Sequence, residues 1–363
     1  MYSYRIIMLG PSGSGKTVYL GSIFQKLSSQ GDWGFFLETD SQKQKRLNGI
    51  YTKVATGEKW PDPTKRAEVS EWDFTCSVHR NGTKYSACKF IYLDYAGGII
   101  TEEDSSEYEA DFERQVKEAD IMLGLLDGDQ LCALMRGEGA GVIWLLKDFK
   151  NMLDKMMGNV EKPIHFIVSK WDVVESNGYS LKQVREKLLE SSDQFGNLVR
   201  TRKENGSVTR LIPVSSVGQG FAKRGADGQM QKILGKIPKP FQVEVTLACV
   251  LPDLIQSKQK ELAGRRREEE RRSTTVTPDY TGGEEFSRNL PGWLKKVPGI
   301  KKMAGSAEEK RIEAEKRSEE LRREKAAALN KIADERSALE SVVNSFILIQ
   351  NQLYRNFPNS DLS

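Results

Sequence analysis

The sequence predicts an α/β fold: a mostly parallel sheet covered by helices on both faces, in three layers, followed by one long C-terminal helix. Three observations predict it. Short apolar runs alternate with amphipathic helical stretches over most of the chain, the pattern of a parallel sheet buried on both sides. The first apolar run passes through a glycine-rich loop, GPSGSGKT, directly into a helical stretch. Residues 306–356 contain no Gly or Pro and are rich in Ala, Glu, Lys, Arg and Leu.

Taken in order, Tyr4–Leu9 reads as a strand and Thr17–Leu27 as a helix, with room for an inserted helix around Ser41–Thr56. Glu71–Arg80 and Lys84–Leu93 read as paired strands joined by Asn81-Gly82, a strong hairpin signal that adds an antiparallel edge. A tight turn there sets Cys76 opposite Ala87. Ser105–Ala119 reads as a polar helix, Ile121–Leu126 as a buried strand and Gly141–Met156 as a helix. Ile164–Val168 is a second buried strand, Leu181–Ser191 a helix and Thr209–Val214 a strand. Phe241–Leu262 reads as a helix broken or kinked near Pro252.

These elements divide the chain into a globular domain over residues 1–263, a charged linker over 264–305, a helix over 306–356 and a short tail over 357–363. In the helix, Ile332, Leu339, Phe346 and Leu353 recur every seven residues, while the first half, AEEKRIEAEKRSEELRREK, has few apolar residues. Half should therefore be solvated and half should bury a stripe, either on the chain's own domain or in a coiled coil with a partner. In the linker, LPGWLKKVPGIKKM alternates apolar anchors with lysine pairs, but its prolines and glycines argue against one amphipathic helix. Packing on protein is expected there over contact with a membrane surface.

Composition excludes several function classes. The formal net charge of +4 makes no case for nucleic acid. Four scattered cysteines with no CxxC pair, and only two histidines, make a zinc site improbable. The thiols are expected to be reduced and buried in a cytoplasmic protein. MYSYRIIML lacks the basic start and small-residue cleavage site of a signal peptide, and no apolar run is long enough to span a membrane.

GPSGSGKT matches GxxxxGK[ST] in full, the phosphate loop of P-loop NTPases. Gly10, Ser12, Gly13, Ser14 and Gly15 let backbone N–H groups turn inward on phosphate oxygens, and the following helix N-terminus adds a favourable dipole. Lys16 reaches the terminal phosphates, the Thr17 hydroxyl is a ligand for Mg²⁺, and Val18 closes the loop. Asp94 ends the apolar run Phe90–Leu93, where a carboxylate would hold Mg²⁺ directly or through water. Gly97 follows in DYAG and lets the backbone approach the γ-phosphate.

SKWD (residues 169–172) follows the buried strand Ile164–Val168, and PVSS covers Pro213–Ser216. The order GPSGSGKT, DYAG, SKWD, PVSS resembles the signature series of the translation-factor-related (TRAFAC) class of P-loop GTPases. The resemblance implies GTP and GDP as ligands, Mg²⁺ as cofactor, and a nucleotide-dependent switch with a protein effector or activating partner. A homodimer is the candidate assembly. It implies that Asp172 reads the guanine edge, that the Lys170 stem covers the base, and that Ser215 and Ser216 lie in the loop at guanine O6. It also implies a switch threonine on Mg²⁺ and γ-phosphate, for which Thr64 in KWPDPTKR is the choice and Thr56 the rival. Lys16, Thr64 and Gly97 form the expected catalytic set.

Two departures stand out. Ser169 replaces the usual Asn or Thr, and Gly98 follows DYAG where many members carry the Gln that positions water. Glu102 and Glu103 lie near enough to serve but read more simply as an acidic helix start, Arg66 is placed like a cis arginine finger, and slow hydrolysis is expected. An ABC-type ATPase is disfavoured, since Asp94 is followed by Tyr95 and no LSGGQ-like stretch occurs. The long gap before DYAG, the KWPDPT segment and the missing Gln also resemble prokaryotic GTPases linked to double-GTPase and biological-conflict systems, which implies a role in defence. The alternative is a module that binds GTP without turnover and gates an interaction.

Overall fold

The computed structural model describes residues 1–61, 69–95, 106–159, 162–225, 230–233, 235–256, 307–330 and 332–362. Its centre is a seven-stranded sheet in the order β2-β3-β4-β1-β5-β6-β7. These strands are β1 (Tyr2–Leu9), β2 (Phe36–Glu38), β3 (Val69–Arg80), β4 (Thr83–Tyr95), β5 (Ile121–Asp127), β6 (Ile164–Ser169) and β7 (Thr209–Pro213). β4, β1, β5, β6 and β7 run parallel, while β2 and β3 add an antiparallel edge.

Strand alternation sorts β1 between two cores. Ile6 and Met8 face one side, packed with α1 (Lys16–Leu27), a helix over 243–256 and a C-terminal helix. Ile7 and Leu9 face the other, with helices drawn from α3 (Ser106–Glu118) through Glu204. All four side chains are fully buried, which explains a continuous apolar run where a one-sided sheet would alternate. The α/β class is as expected, and helix–sheet–helix layering is compatible with a three-layer sandwich. A helix α2 (Ser41–Thr56), capped by Asp40, fills the gap before β3.

The β3–β4 hairpin turns at Asn81 and Gly82, both with positive φ. Its register departs from expectation. Ser77 pairs with Ser86, but Cys76 pairs with Cys88, because a bulge leaves Ala87 without a partner. Turn geometry sets register only until an extra residue enters one strand. Both thiols are buried and free.

The single helix expected over Gly141–Met156 is three pieces: α5 (Gly139–Trp144), a π-helical turn (Leu145–Phe149) and α6 (Lys150–Met157). Three helices escape the sequence pattern, among them the short helix over Trp171–Ser176. α4 (Gly128–Met135) starts without a gap after β5, capped by Asp127. α9 (Asp193–Glu204) carries Gly196 and Asn197, poor helix formers, yet buries Phe195, Leu198, Val199 and Arg202 on one face. Between β6 and α9 lie α7 (Trp171–Ser176) and α8 (Leu181–Ser191). The helix over 243–256, α10, runs through Pro252 without a break. A small hairpin of β8 (Ala222–Arg224) and β9 (Met230–Lys232) stands outside the main sheet.

The expected long C-terminal helix is instead a helical hairpin, α11 (Ala307–Asn330) and α12 (Glu335–Asn356). The Asp334 carboxylate accepts the Ser337 backbone N–H at 2.7 Å in a capping box, which starts a new helix where composition shows no breaker. All four residues of the seven-residue repeat are buried. They lie in the chain's own core: the Phe346 ring sits 5.1 Å from Phe35 and 6.0 Å from Phe90, on β4. α12 is therefore part of the domain, not a coiled-coil strand. Beyond it, Leu362 N–H bonds to Thr209 carbonyl at 3.0 Å and covers the β7 edge.

No described helix is long and apolar enough to cross a membrane. Thr64, Arg66, Gly97, Gly98, Glu102, Glu103 and the basic segment of the linker lie outside the described residues.

Candidate functional site

The loop between β1 and α1 is shaped by glycine. Gly15 has φ 93°, a left-handed conformation costly for any other residue, and it caps α1 with no side-chain bond. The first N–H groups of α1 therefore point into the loop with no side-chain partner from the cap. The Lys16 ammonium donates to Gly10 carbonyl at 2.7 Å and to Pro11 carbonyl at 3.3 Å. Burial pushes its pKa down, opposed by the nearby Asp94 carboxylate. The Ser14 hydroxyl is buried with no partner, Ser12 and Gly13 are exposed, and Val18 is half-buried beside Val54, Val217 and Phe221.

β4 lies next to β1, and their register sets Asp94 beside Met8, at the mouth of the loop. The Thr17 hydroxyl donates to Asp94 Oδ2 at 3.4 Å, and Asp94 Oδ1 is buried with no partner. Burial pushes the Asp94 pKa up, while Lys16 and the Thr17 hydrogen bond oppose the rise. A buried carboxylate with an orphaned oxygen, one hydroxyl away from the glycine-rich loop, suits a hard cation. Among the described residues no group of three or more His, Cys, Asp or Glu could hold a metal alone. A Mg²⁺ ion here would draw its other ligands from water and phosphate, its usual habit.

A second group forms where β5, β6 and β7 end. The Ser169 hydroxyl donates to Leu126 carbonyl at 3.0 Å and ties the ends of β5 and β6. Lys170 takes a left-handed conformation, φ 51°, and its ammonium pairs with Asp127 Oδ2 at 2.6 Å. Trp171 N–H bonds to Val214 carbonyl at 3.1 Å, joining this turn to the VSS loop. Asp172 Oδ1 accepts the Ser215 hydroxyl, whose oxygen in turn accepts Gly218 N–H at 2.8 Å. Burial raises the Asp172 pKa, and the Ser215 bond opposes it. Ser216 carbonyl accepts the Ser22 hydroxyl at 2.8 Å, which fastens this loop to α1.

The fold thus brings Gly10–Thr17 together with Asp94, and Lys170 and Asp172 together with Ser215. Both groups sit at carboxyl ends of parallel strands, where open α/β sheets bind ligands. Thr56, the rival to Thr64, ends α2 and bonds its own helix at Thr52 carbonyl, 2.9 Å.

Two residues were missed in the sequence. Asp127 ends the apolar run of β5 as Asp94 ends that of β4, so the same signal marks it. Gly128 follows because a Cβ there would come within 2.4 Å of Ser169 carbonyl. Arg46 on α2 lies with its guanidinium 4.8 Å from the Trp72 ring centre and donates to Ser70 at 3.4 Å. Its charge bears on Asp94 across the β3–β4 pair. Nothing in a polar helix interior singles it out beforehand.

The sequence matches no protein-family model and no curated protein.

Proposed function

We propose that this chain is a Mg²⁺-dependent GTP-binding protein that hydrolyses GTP slowly to GDP and works as a nucleotide-dependent switch. The observation that carries the reading is the Asp172–Ser215 pair, set on the same sheet edge as a phosphate loop. A fixed, buried carboxylate suits the N1–H and exocyclic amine of guanine, which adenine lacks.

Each part of the chain has a task in this reading. The loop backbone and the Lys16 ammonium bind phosphate oxygens, and Lys16 exchanges its carbonyl partners Gly10 and Pro11 for the ligand. Thr17 and Asp94 would hold Mg²⁺, which neutralises phosphate charge when bound. Lys170, anchored by Asp127, walls the base site, and Ser215 keeps Asp172 oriented. By the resemblance, Thr64 and Gly97 meet the γ-phosphate. Gly98 offers no side chain to orient water, which supports slow or partner-stimulated turnover.

In this reading the output surface moves to α11. α12 is core, so α11, which exposes Ile312 and many charged side chains, is the face available to an effector. A protein effector, an activating partner and a second copy of the chain are the partners this reading accommodates, and a defence role remains what the narrower resemblance implies. Competition of GTP, ATP and xanthosine triphosphate for a fluorescent guanine nucleotide tests the ligand. Phosphate release by the parent and Asp94→Ala, with and without cell lysate, tests turnover. Binding without release under every condition makes the protein a non-hydrolysing, GTP-gated interaction module instead.

A further inference from the structure

A cavity of about 510 Å³ lies between the helical hairpin and the loop that follows α1. That volume is within the range of small-ligand sites. Its wall carries Arg322 and Lys325 from α11 and Arg355 from α12, against one lining carboxylate, Asp32. Trp33 and Leu348 supply an apolar side.

The three cations are only partly balanced by carboxylates. Lys325 donates to Asp32 carbonyl, a neutral oxygen, and its ammonium lies 5.7 Å from the Trp33 ring centre. Burial pushes its pKa down and Asp32 opposes this. Arg355 meets Glu315 at a loose 3.6 Å, which leaves other donors of its planar fork unused. Arg322 is exposed and has no ion-pair partner among the described residues. Trp33 is itself fixed, its carbonyl accepting the Ser345 hydroxyl at 2.7 Å. Three cations line one cavity beside an aromatic ring, two of them held by neighbours, which suits a dense anion, and guanidinium forks match phosphate oxygens two at a time.

We propose that this cavity binds a small phosphorylated molecule of about nucleotide size. Its phosphates sit on Arg322, Lys325 and Arg355, and its body covers Leu348 and Trp33. The ligand bridges α11 to the loop after α1, so its binding tightens the helical hairpin onto the domain. The proposal stands whichever nucleotide the phosphate loop takes.

Calorimetric titration of the full chain with adenosine 3′,5′-bisphosphate, in excess Mg²⁺ and GDP, tests it. In a second arm the same titration uses Lys16→Ala, which disables the phosphate loop. One saturable site is expected in both arms, weakened about tenfold by Arg322→Gln or Lys325→Gln, as loss of a charge-assisted bond implies. Arg323→Gln, an exposed neighbour outside the cavity, should leave it unchanged. A site lost in the Lys16→Ala arm, no saturable heat, or equal weakening by Arg323→Gln overturns the proposal. Tighter binding to vesicles carrying a phosphoinositide than to the bisphosphate assigns the cations to a lipid headgroup and overturns the soluble ligand.

Discussion

The Ser215 hydroxyl donates to Asp172 Oδ1 at 2.5 Å, linking two loops 43 residues apart in sequence. The bond holds the Asp172 carboxylate in one orientation at the ends of β6 and β7. Ser215→Ala should therefore weaken GTP binding about tenfold, the effect of losing one hydrogen bond to a charged group. Asp172→Asn should move preference from GTP to xanthosine triphosphate, measured by competition. Unchanged GTP preference in Asp172→Asn would show that SKWD is not the base reader.

Asp94 costs stability in the empty protein. Its folded pKa is raised by burial above the ordinary carboxylate value of 3.8. The folded state thus holds this proton more tightly than the unfolded chain, and stability falls as pH rises from about 3.8 through the raised value. Asp94→Asn removes that penalty. At pH 7 without ligand it should melt no lower than the parent, yet gain nothing from Mg²⁺ and GTP. Differential scanning fluorimetry reads both effects.

A buried charged cluster ties the C-terminal helix to β6 and β7. Arg210 on β7 pairs twice with Asp253 on α10, at 2.6 and 2.7 Å, and also bonds the Tyr354 hydroxyl on α12. Gln350 donates to the same Asp253 at 3.0 Å, and His165 on β6 lies 3.1 Å away. Burial alone would raise the Asp253 pKa, but Arg210 and His165 hold it well below the usual carboxylate range. Its contribution is present above pH 3.8, the unfolded value, and is lost as pH falls from there towards the folded value. Asp253→Asn should cost about 3–5 kcal/mol in urea unfolding at pH 7, and the gap to the parent should narrow in acid. Replacing both partners, Arg210→Met with Asp253→Leu, should cost less than Asp253→Asn, since no buried charge is left alone.

Phe346 is fully buried, with Phe35 and Phe90 around it. Phe346→Ala should destabilise by about 3–5 kcal/mol. Ile312→Ala, on the exposed face of α11, should stay within about 0.5 kcal/mol. Equal, small effects in chemical denaturation would mean that the hairpin docks only loosely.

Strand after strand was legible because a two-sided sheet needs continuous apolar runs, and Ile6 to Leu9 or Ile164 to Val168 can be little else. GPSGSGKT and the carboxylate ending β4 were legible because their chemistry is local: glycines in a turn, an acid at a strand tip. The same local signal at Asp127 was available and was overlooked. Register and partners depend on contacts across the chain, and there the sequence says little. The Ala87 bulge and Arg46 over Trp72 follow from contacts between elements, whereas the capping box at Asp334 is a local signal between residues three apart.

The α/β class, the glycine-rich loop after β1 and the SKWD turn thus belong to local patterns in the amino-acid order, since each needs only nearby residues to take its shape. That the charged C-terminal stretch folds back as a hairpin, with α12 inside the core and three cations around a cavity, belongs to the assembled fold. A seven-residue apolar repeat records that a face must be buried, but not against what. Here the chain's own sheet provided the surface that a partner helix could also have offered.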